Sequence, residues 1–179
     1  MPLRNTPETY GLLTRAVHWL MALLVLIALP FGAYVARMEV SFDTLKFYGW
    51  HKSLGIVLLG LIVLRIVWHR VSPPPELLGA GGWKDRLARA VHKSFYVLLV
   101  LMPVSGWFAS SATGIDTLVF NTWTLPRIAP VSEVVAETGF RVHGALGMIL
   151  AAMVGLHVAG AIYRGLIVRD GTIARMLRG

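Results

Sequence analysis

The 179-residue chain contains no cysteine and few charged residues. Without cysteine it cannot form disulfides, thiolate zinc sites, iron–sulfur clusters or the covalent attachment of a c-type haem. Any bound metal must therefore rest on histidine, methionine or carboxylate ligands. Charged residues make up 15% of the sequence and hydrophobic residues 56%, against about 25% and 45–50% in soluble domains. This composition excludes a disordered chain and argues against a soluble globular protein.

Four apolar segments account for the mean hydropathy of +0.66, and each is long enough to cross a bilayer as a helix of about 20 residues. We predict helices at residues 17–36, 50–68, 90–110 and 142–163. The long connection at 111–141 is expected to be a partly structured external loop. The predicted fold class is therefore all-α, a transmembrane four-helix bundle formed by a single domain, residues 1–179.

Lysine and arginine are distributed unequally between the two sides that four alternating spans create. Twelve lie on the side that carries both termini, whereas five lie on the other side and are balanced by five acids. Because lysine and arginine favour the cytoplasmic side, both termini are predicted to be cytoplasmic, in a multi-pass protein of the bacterial inner membrane. The basic residues punctuate apolar runs instead of forming one water-facing surface, so we expect the lipid bilayer as partner and no nucleic acid.

Five of the six histidines lie within or at the mouth of an apolar segment, where ionisable side chains are costly and mark functional sites. These five are His18, His51, His92, His143 and His157. The sixth, His69, is expected at the cytoplasmic end of the second helix beside Arg70, where a structural histidine is ordinary.

Alternating helix directions sort these five histidines by depth. His18, His92 and His157 fall in a cytoplasmic layer, and His51 and His143 fall in an outer layer. His18 and His92 therefore compete for the position opposite His157. The surplus one could bond a haem propionate or take part in quinone protonation, because imidazole changes charge near neutral pH.

His143 and His157 on the fourth helix form the most specific pattern. They are 14 residues apart, which gives about 21 Å of rise and about 1400° of rotation, roughly 40° short of four full turns. Both imidazoles therefore point from one face into the bundle, one near each membrane surface. This geometry suits two haems stacked across the bilayer, each completed by a histidine from another helix. A single zinc site would need histidines within a few ångströms of one another.

Three cationic residues near these histidines are further candidates for cofactor binding. Arg65 lies inside the second apolar segment, Arg15 lies one turn before His18, and Lys52 follows His51. A charge at such a depth needs a partner, and haem propionates would provide one. Snorkelling of the long side chains to lipid head groups is the alternative.

The sequence resembles the prokaryotic cytochrome b561 family and the four-helix dihaem cytochrome b subunits of formate dehydrogenases and nickel–iron hydrogenases. The resemblance covers nearly the whole chain. It rests on His18-Trp19, on His51 followed by SLGI and Arg65, on His92 with Pro103 and Gly106, and on His143-Gly144 and His157-Val158-Ala159. It implies that His18 and His157 hold an inner haem b and that His51 and His143 hold an outer one.

The activity implied by this resemblance is that of an oxidoreductase, carrying electrons between a donor and a quinone, with ubiquinone expected. Some standalone members resemble superoxide oxidases, and an anionic donor needs a local cationic approach, for which Lys52, Arg127 and Arg141 are candidates. An anchor subunit that exchanges electrons with a redox partner protein is the alternative within the family. A His-lined proton or metal transporter is the alternative of another class, disfavoured because the predicted spans contain no aspartate or glutamate.

Overall fold

The computed structural model describes residues 2–78 and 81–179 and is mostly helical. Its long helices are α1 Leu12–Val35, α2 Leu45–Val71, α3 Trp83–Ala112 and α4 Glu133–Ile162. A π-helical turn, Tyr163–Val168, continues α4 and is followed by a short helix, α5 Thr172–Arg178. Two short strands, β1 Thr117–Val119 and β2 Trp123–Leu125, pair antiparallel between α3 and α4.

All four long helices are apolar enough to cross a membrane, as predicted. Each extends beyond the predicted segment: α3, for example, occupies 83–112 and not 90–110. The difference arises because hydropathy finds only the lipid-facing part of a helix, whereas backbone hydrogen bonding continues into polar residues at its ends. The two strands are an exception to the all-α prediction and lie within the connection at 111–141.

The helices pack in chain order, α1 on α2, α2 on α3 and α3 on α4. We call the end of the bundle with His51 and His143 the outer end, and the end with His18 and His157 the inner end. The core between them is apolar and comprises Val17, Met21, Val25, Leu58, Ile62, Leu98, Leu99 and Leu150. Between 6% and 39% of each span is buried inside the bundle. Most of the apolar surface therefore faces outward, as expected for helices surrounded by lipid.

The β1–β2 hairpin packs on the outer end of α2. Its turn residues Phe120 and Asn121 have φ angles of 51° and 55°, which are typical of a type I′ hairpin turn. The backbone N–H of Phe120 donates to Ser53 Oγ at 2.6 Å, and a Cβ on Gly49 would lie 1.8 Å from Asn121 Oδ1. Because Gly49 and Ser53 flank His51, the hairpin fixes the part of α2 that carries this histidine.

The short helix α5 folds back onto the inner end of α1. Arg15 donates to the carbonyl oxygen of Leu177 at 2.9 Å, and the indole Nε1 of Trp19 donates to that of Met176 at 3.1 Å. From α5 itself, Arg175 donates to the carbonyl of Glu76 at 3.0 Å. The bonds to Met176 and Leu177 provide partners for carbonyls near the C-terminus of α5, where intrahelical donors are missing.

A cluster of charged residues joins α3 to the π-helical turn at the inner end. Arg164 contacts the carboxylates of Asp85 and Asp170, the latter at 2.8 Å, and also donates to the carbonyl of Leu78. The three charged side chains are only 17%, 7% and 16% exposed, in that order. Although burial raises the pKa of Asp170, hydrogen bonds from Thr172 and the charge of Arg164 bring it below its usual value.

Candidate functional site

His51 of α2 and His143 of α4 face each other at the outer end. Their ring centroids are 6.2 Å apart and their planes cross at 79°. Two imidazoles that bind one metal from opposite sides, each through a nitrogen about 2 Å away, have centroids about 6 Å apart. The two rings line an apolar cavity together with Gly55, Met102 and Pro103. Both the separation and the cavity suit a metal-centred cofactor held between the rings.

The hydrogen bonding of the outer pair also fits metal ligation. His143 Nδ1 lies 3.0 Å from the carbonyl oxygen of Met102 and 3.1 Å from Ser105 Oγ. An Nδ1–H that donates to a carbonyl leaves Nε2 with a free lone pair, which is the form of histidine that binds metals. His51 Nδ1 is buried and has no hydrogen-bond partner in the described part of the chain. Because buried polar atoms normally have a partner, this nitrogen can bond a group outside the described residues.

Two glycines allow these rings to lie where they do: Gly32, which the sequence analysis missed, and Gly106, which it named only as part of the family resemblance. A Cβ on Gly32 would lie 2.6 Å from His51 Cε1, and one on Gly106 would lie 2.8 Å from His143 Cε1. Gly32 is on α1, and its position beside His51 depends on how the helices face each other. Glycine is common in membrane helices, so its presence alone gave no usable signal at position 32.

At the inner end, His18 of α1 and His157 of α4 form a second pair, with centroids 6.2 Å apart and planes at 66°. His92 of α3 also approaches His157, with centroids 5.5 Å apart. His92 is exposed, whereas His18 is half-buried. Phe95 packs edge-on against His157 at 5.4 Å. The structure thus brings together all three inner histidines that the sequence marked as candidates.

The predicted cations take different positions. Arg65 donates to Nδ1 of His18 at 3.2 Å, so it lies at the inner pair. Arg15 is 6% exposed and holds α5 through the carbonyl of Leu177. Lys52 is half-buried next to His51 at the outer end. Arg65 is thus in contact with a candidate ligand.

The outer arginines that were predicted to attract an anion both have acidic partners. Arg127 pairs with Asp116 at 3.1 Å, and Arg141 pairs with Glu137 at 2.6 Å. All four side chains are exposed, and exposed ion pairs contribute little to the stability of a fold. Each pair is nevertheless neutral as a unit, so the cationic approach predicted from Lys52, Arg127 and Arg141 is balanced at two of its three positions.

The sequence model of the family described as prokaryotic cytochrome b561 matches residues 9–179. The chain belongs to the prokaryotic cytochrome b561 family. It is 33% identical to cytochrome b561 homolog 2 of Escherichia coli (strain K12), over 99% of this chain and 95% of that protein. It is 27% identical to the protein named "Probable superoxide oxidase CybB" of Yersinia pestis, over 95% and 96% of the two chains.

A further relative of this cytochrome b561 is cytochrome b561 homolog 1 of Escherichia coli (strain K12), 26% identical over 90% of this chain and 92% of the other. These matches confirm the resemblance inferred from the sequence motifs. The chain is a bacterial membrane cytochrome, and its family implies a b-type haem. The alternative of a His-lined transporter therefore has no support.

We expect Gly32→Ala to reduce haem binding at the outer pair, because the new Cβ would push the His51 ring from its position. Gly60→Ala on α2 is a matched control, since a Cβ there meets no described atom within 4 Å. Replacing a helical glycine there should stabilise the helix by about 0.5–1 kcal/mol. The measurement is haem per chain by absorption after purification. Equal haem content in the two variants would show that Gly32 is not needed for the approach of His51.

Proposed function

We propose that this cytochrome b561 holds two b-type haems, one at each end of the bundle, and passes electrons from a donor at the outer end to a quinone. The observation that carries the proposal is the presence of two histidine pairs with the same centroid distance, 6.2 Å, about 21 Å apart along α4. His51 and His143 would hold the outer haem, and His18 and His157 the inner one. Haem with two histidine ligands supplies one-electron redox chemistry with no open coordination position.

His18 is a better-supported inner ligand than His92. Its centroid distance to His157 equals that of the outer pair, and its side chain is half-buried. His92 lies closer, at 5.5 Å, and its side chain is exposed. The family resemblance points the same way. His92 is left available for another role at the inner end.

The contact between Arg65 and His18 has a consequence for haem binding. A guanidinium only donates hydrogen bonds, so Nδ1 of His18 accepts here and the neutral ring carries its proton on Nε2. Ligation through Nε2 needs that proton on Nδ1 instead. Arg65 must therefore give up this contact when the ring binds iron, and a half-buried cation inside a membrane span then requires an anionic partner. A haem propionate is the partner we propose.

We further propose that the inner end faces the cytoplasm of a cell whose inner membrane the protein spans. Twelve of the 17 lysines and arginines lie on that side, and lysine and arginine in short loops favour the cytoplasm. The outer end then faces away from the cytoplasm, and an external donor would meet His51 and His143 first. Electrons from such a donor would cross the bilayer toward the inner pair.

Superoxide is the donor that we propose, with ubiquinone as the acceptor. The proposal is supported by the likeness to the protein named "Probable superoxide oxidase CybB". The neutral pairs formed by Arg127 and Arg141 favour a second candidate, a partner enzyme for which this chain is an anchor subunit. A surface without excess charge attracts a small anion less than a cationic funnel does.

Stopped-flow mixing of superoxide with the purified, oxidised protein distinguishes the two candidates. We expect reduction of haem that does not occur when superoxide is left out and that superoxide dismutase abolishes. A ubiquinone analogue should then reoxidise the haem without any partner protein. Haem that superoxide does not reduce, in a preparation that retains a soluble dehydrogenase, would reject superoxide and support the anchor subunit.

A further inference from the structure

His69 and Tyr96 form a hydrogen-bonded pair at the inner end, apart from both pairs of candidate haem ligands. Tyr96 Oη lies 2.7 Å from His69 Nδ1, and the two rings meet edge to face with centroids 6.2 Å apart. A distance of 2.7 Å lies at the short end of the normal range. Because the residues come from α2 and α3, the bond fixes the imidazole between two packed helices.

The second ring nitrogen of His69, Nε2, is buried and has no hydrogen-bond partner among residues 2–78 and 81–179. Buried polar atoms in native proteins nearly always have a partner, and leaving one unpaired costs about 1–3 kcal/mol. The ring is therefore held at Nδ1, whereas Nε2 is left without a partner from the described residues. This differs from the structural, interfacial histidine that the sequence predicts at this position.

The surroundings of the pair connect it with the inner haem-binding residues. Arg65 lies one helical turn before His69 on α2, so the two side chains share a helix face, and Arg65 reaches Nδ1 of His18. Tyr10, which precedes α1, lies within electrostatic range of both Arg65 and Tyr96, and burial raises its pKa. The guanidinium carbon of Arg175 lies over the ring of Tyr10, 5.8 Å from the centroid of that ring.

We propose that the His69–Tyr96 pair delivers protons to the quinone that is reduced at the inner end, an inference that rests on the proposed function. Conversion of a quinone to a quinol consumes two electrons and two protons, and the external donor supplies the electrons. In each proton transfer the Nε2–H bond of His69 breaks, an O–H bond forms on a quinone carbonyl oxygen, and the Tyr96 hydroxyl proton moves to Nδ1. After each transfer the Nδ1 proton returns to the Tyr96 oxygen, and Nε2 of His69 takes up a proton from water at the inner end, which restores the pair.

Two substitutions separate proton delivery from electron transfer. His69→Gln and Tyr96→Phe should keep two haems per chain and an unchanged rate of haem reduction by dithionite. Reoxidation by a ubiquinone analogue should slow by about 100-fold, the contribution typical of a positioned acid. Reoxidation by ferricyanide, which takes an electron and no proton, should not change. Tyr48→Phe is the control, because its hydroxyl bonds the Met38 carbonyl at the other end of the bundle.

The outcomes separate failure of this inference from failure of the proposed function. Variants that reduce quinone at the rate of the native protein would overturn the role of the pair. So would variants whose haem is reoxidised more slowly by ferricyanide to the same extent as by quinone. Loss of a haem from His69→Gln would do the same, because it would make His69 part of the haem site. A native protein that ferricyanide reoxidises but quinone does not would reject the proposed function, and the inference with it.

Discussion

Purified His143→Ala protein should contain one b-type haem per chain, against the two that we propose for the native protein. His143 is oriented by a hydrogen bond from Nδ1 to the carbonyl of Met102, and its ring lies opposite His51 at 6.2 Å. Alanine offers iron no ligand, so the outer end would lose one of the two histidines that would hold a haem there, together with a wall of the cavity. His157→Ala should lose the inner haem in the same way, and the double variant should be colourless.

The measurement is a pyridine haemochrome assay together with a protein determination, on material that elutes as one peak in size exclusion. Spectra of the two single variants should differ, because each keeps a different haem. The same assay decides whether His18 or His92 is the inner ligand. His18→Ala should lose one haem, whereas His92→Ala should keep both. The reverse result would assign His92 as the ligand, and two haems in His143→Ala would contradict the pairing.

The spans and the histidine pairs could be predicted from the sequence for a physical reason. Apolar segments long enough to cross a bilayer are typical of membrane-spanning helices. The 14-residue spacing on one helix fixes the directions of His143 and His157 relative to each other. These features depend on local sequence alone. The relation of His51 to His143 follows once neighbouring spans are taken to run in opposite directions.

Other features depend on which helix faces pack against each other. These contacts between helices cannot be predicted from the sequence alone. Gly32 acts on a ring that lies on another helix. The β1–β2 hairpin has strands of three residues, too short for a pattern, and is held by Ser53 of α2. The partner of His69 is Tyr96, 27 residues away on α3. In each case the contact across elements, and not the local residue type, decides the structure.

The contacts among the three charged residues at the inner end could not be predicted either. The sequence analysis used such residues only to compare the charge of the two sides. Arg164 lies seven residues after His157, about two helical turns along the same helix axis, where the chain turns to π-helical geometry. It contacts Asp85 at the beginning of α3 and Asp170 before α5. The cluster therefore fixes α4, and with it His157, against the helix that carries His92.

We expect Arg164→Met to lower the free energy of unfolding measurably, because removing one partner leaves the carboxylate of Asp85, whose side chain is 7% exposed, without its counter-charge. Among the described residues, the backbone N–H of Gly81 would still donate to the Asp85 carboxylate, at 2.9 Å. Arg70→Met, at an exposed arginine of the same end, is the matched control and should change stability by less than about 0.5 kcal/mol.

Thermal unfolding in detergent, followed by circular dichroism and by haem absorbance, measures this difference. Adding Asp85→Asn to Arg164→Met should recover part of the lost stability, since the buried charge is removed with its partner and double substitution isolates their coupling. The inner haem should be released at a lower temperature than the outer haem in Arg164→Met, because the cluster supports the inner end alone. Simultaneous release of both haems at the native temperature would show that α4 is held at the inner end by apolar packing without help from the cluster.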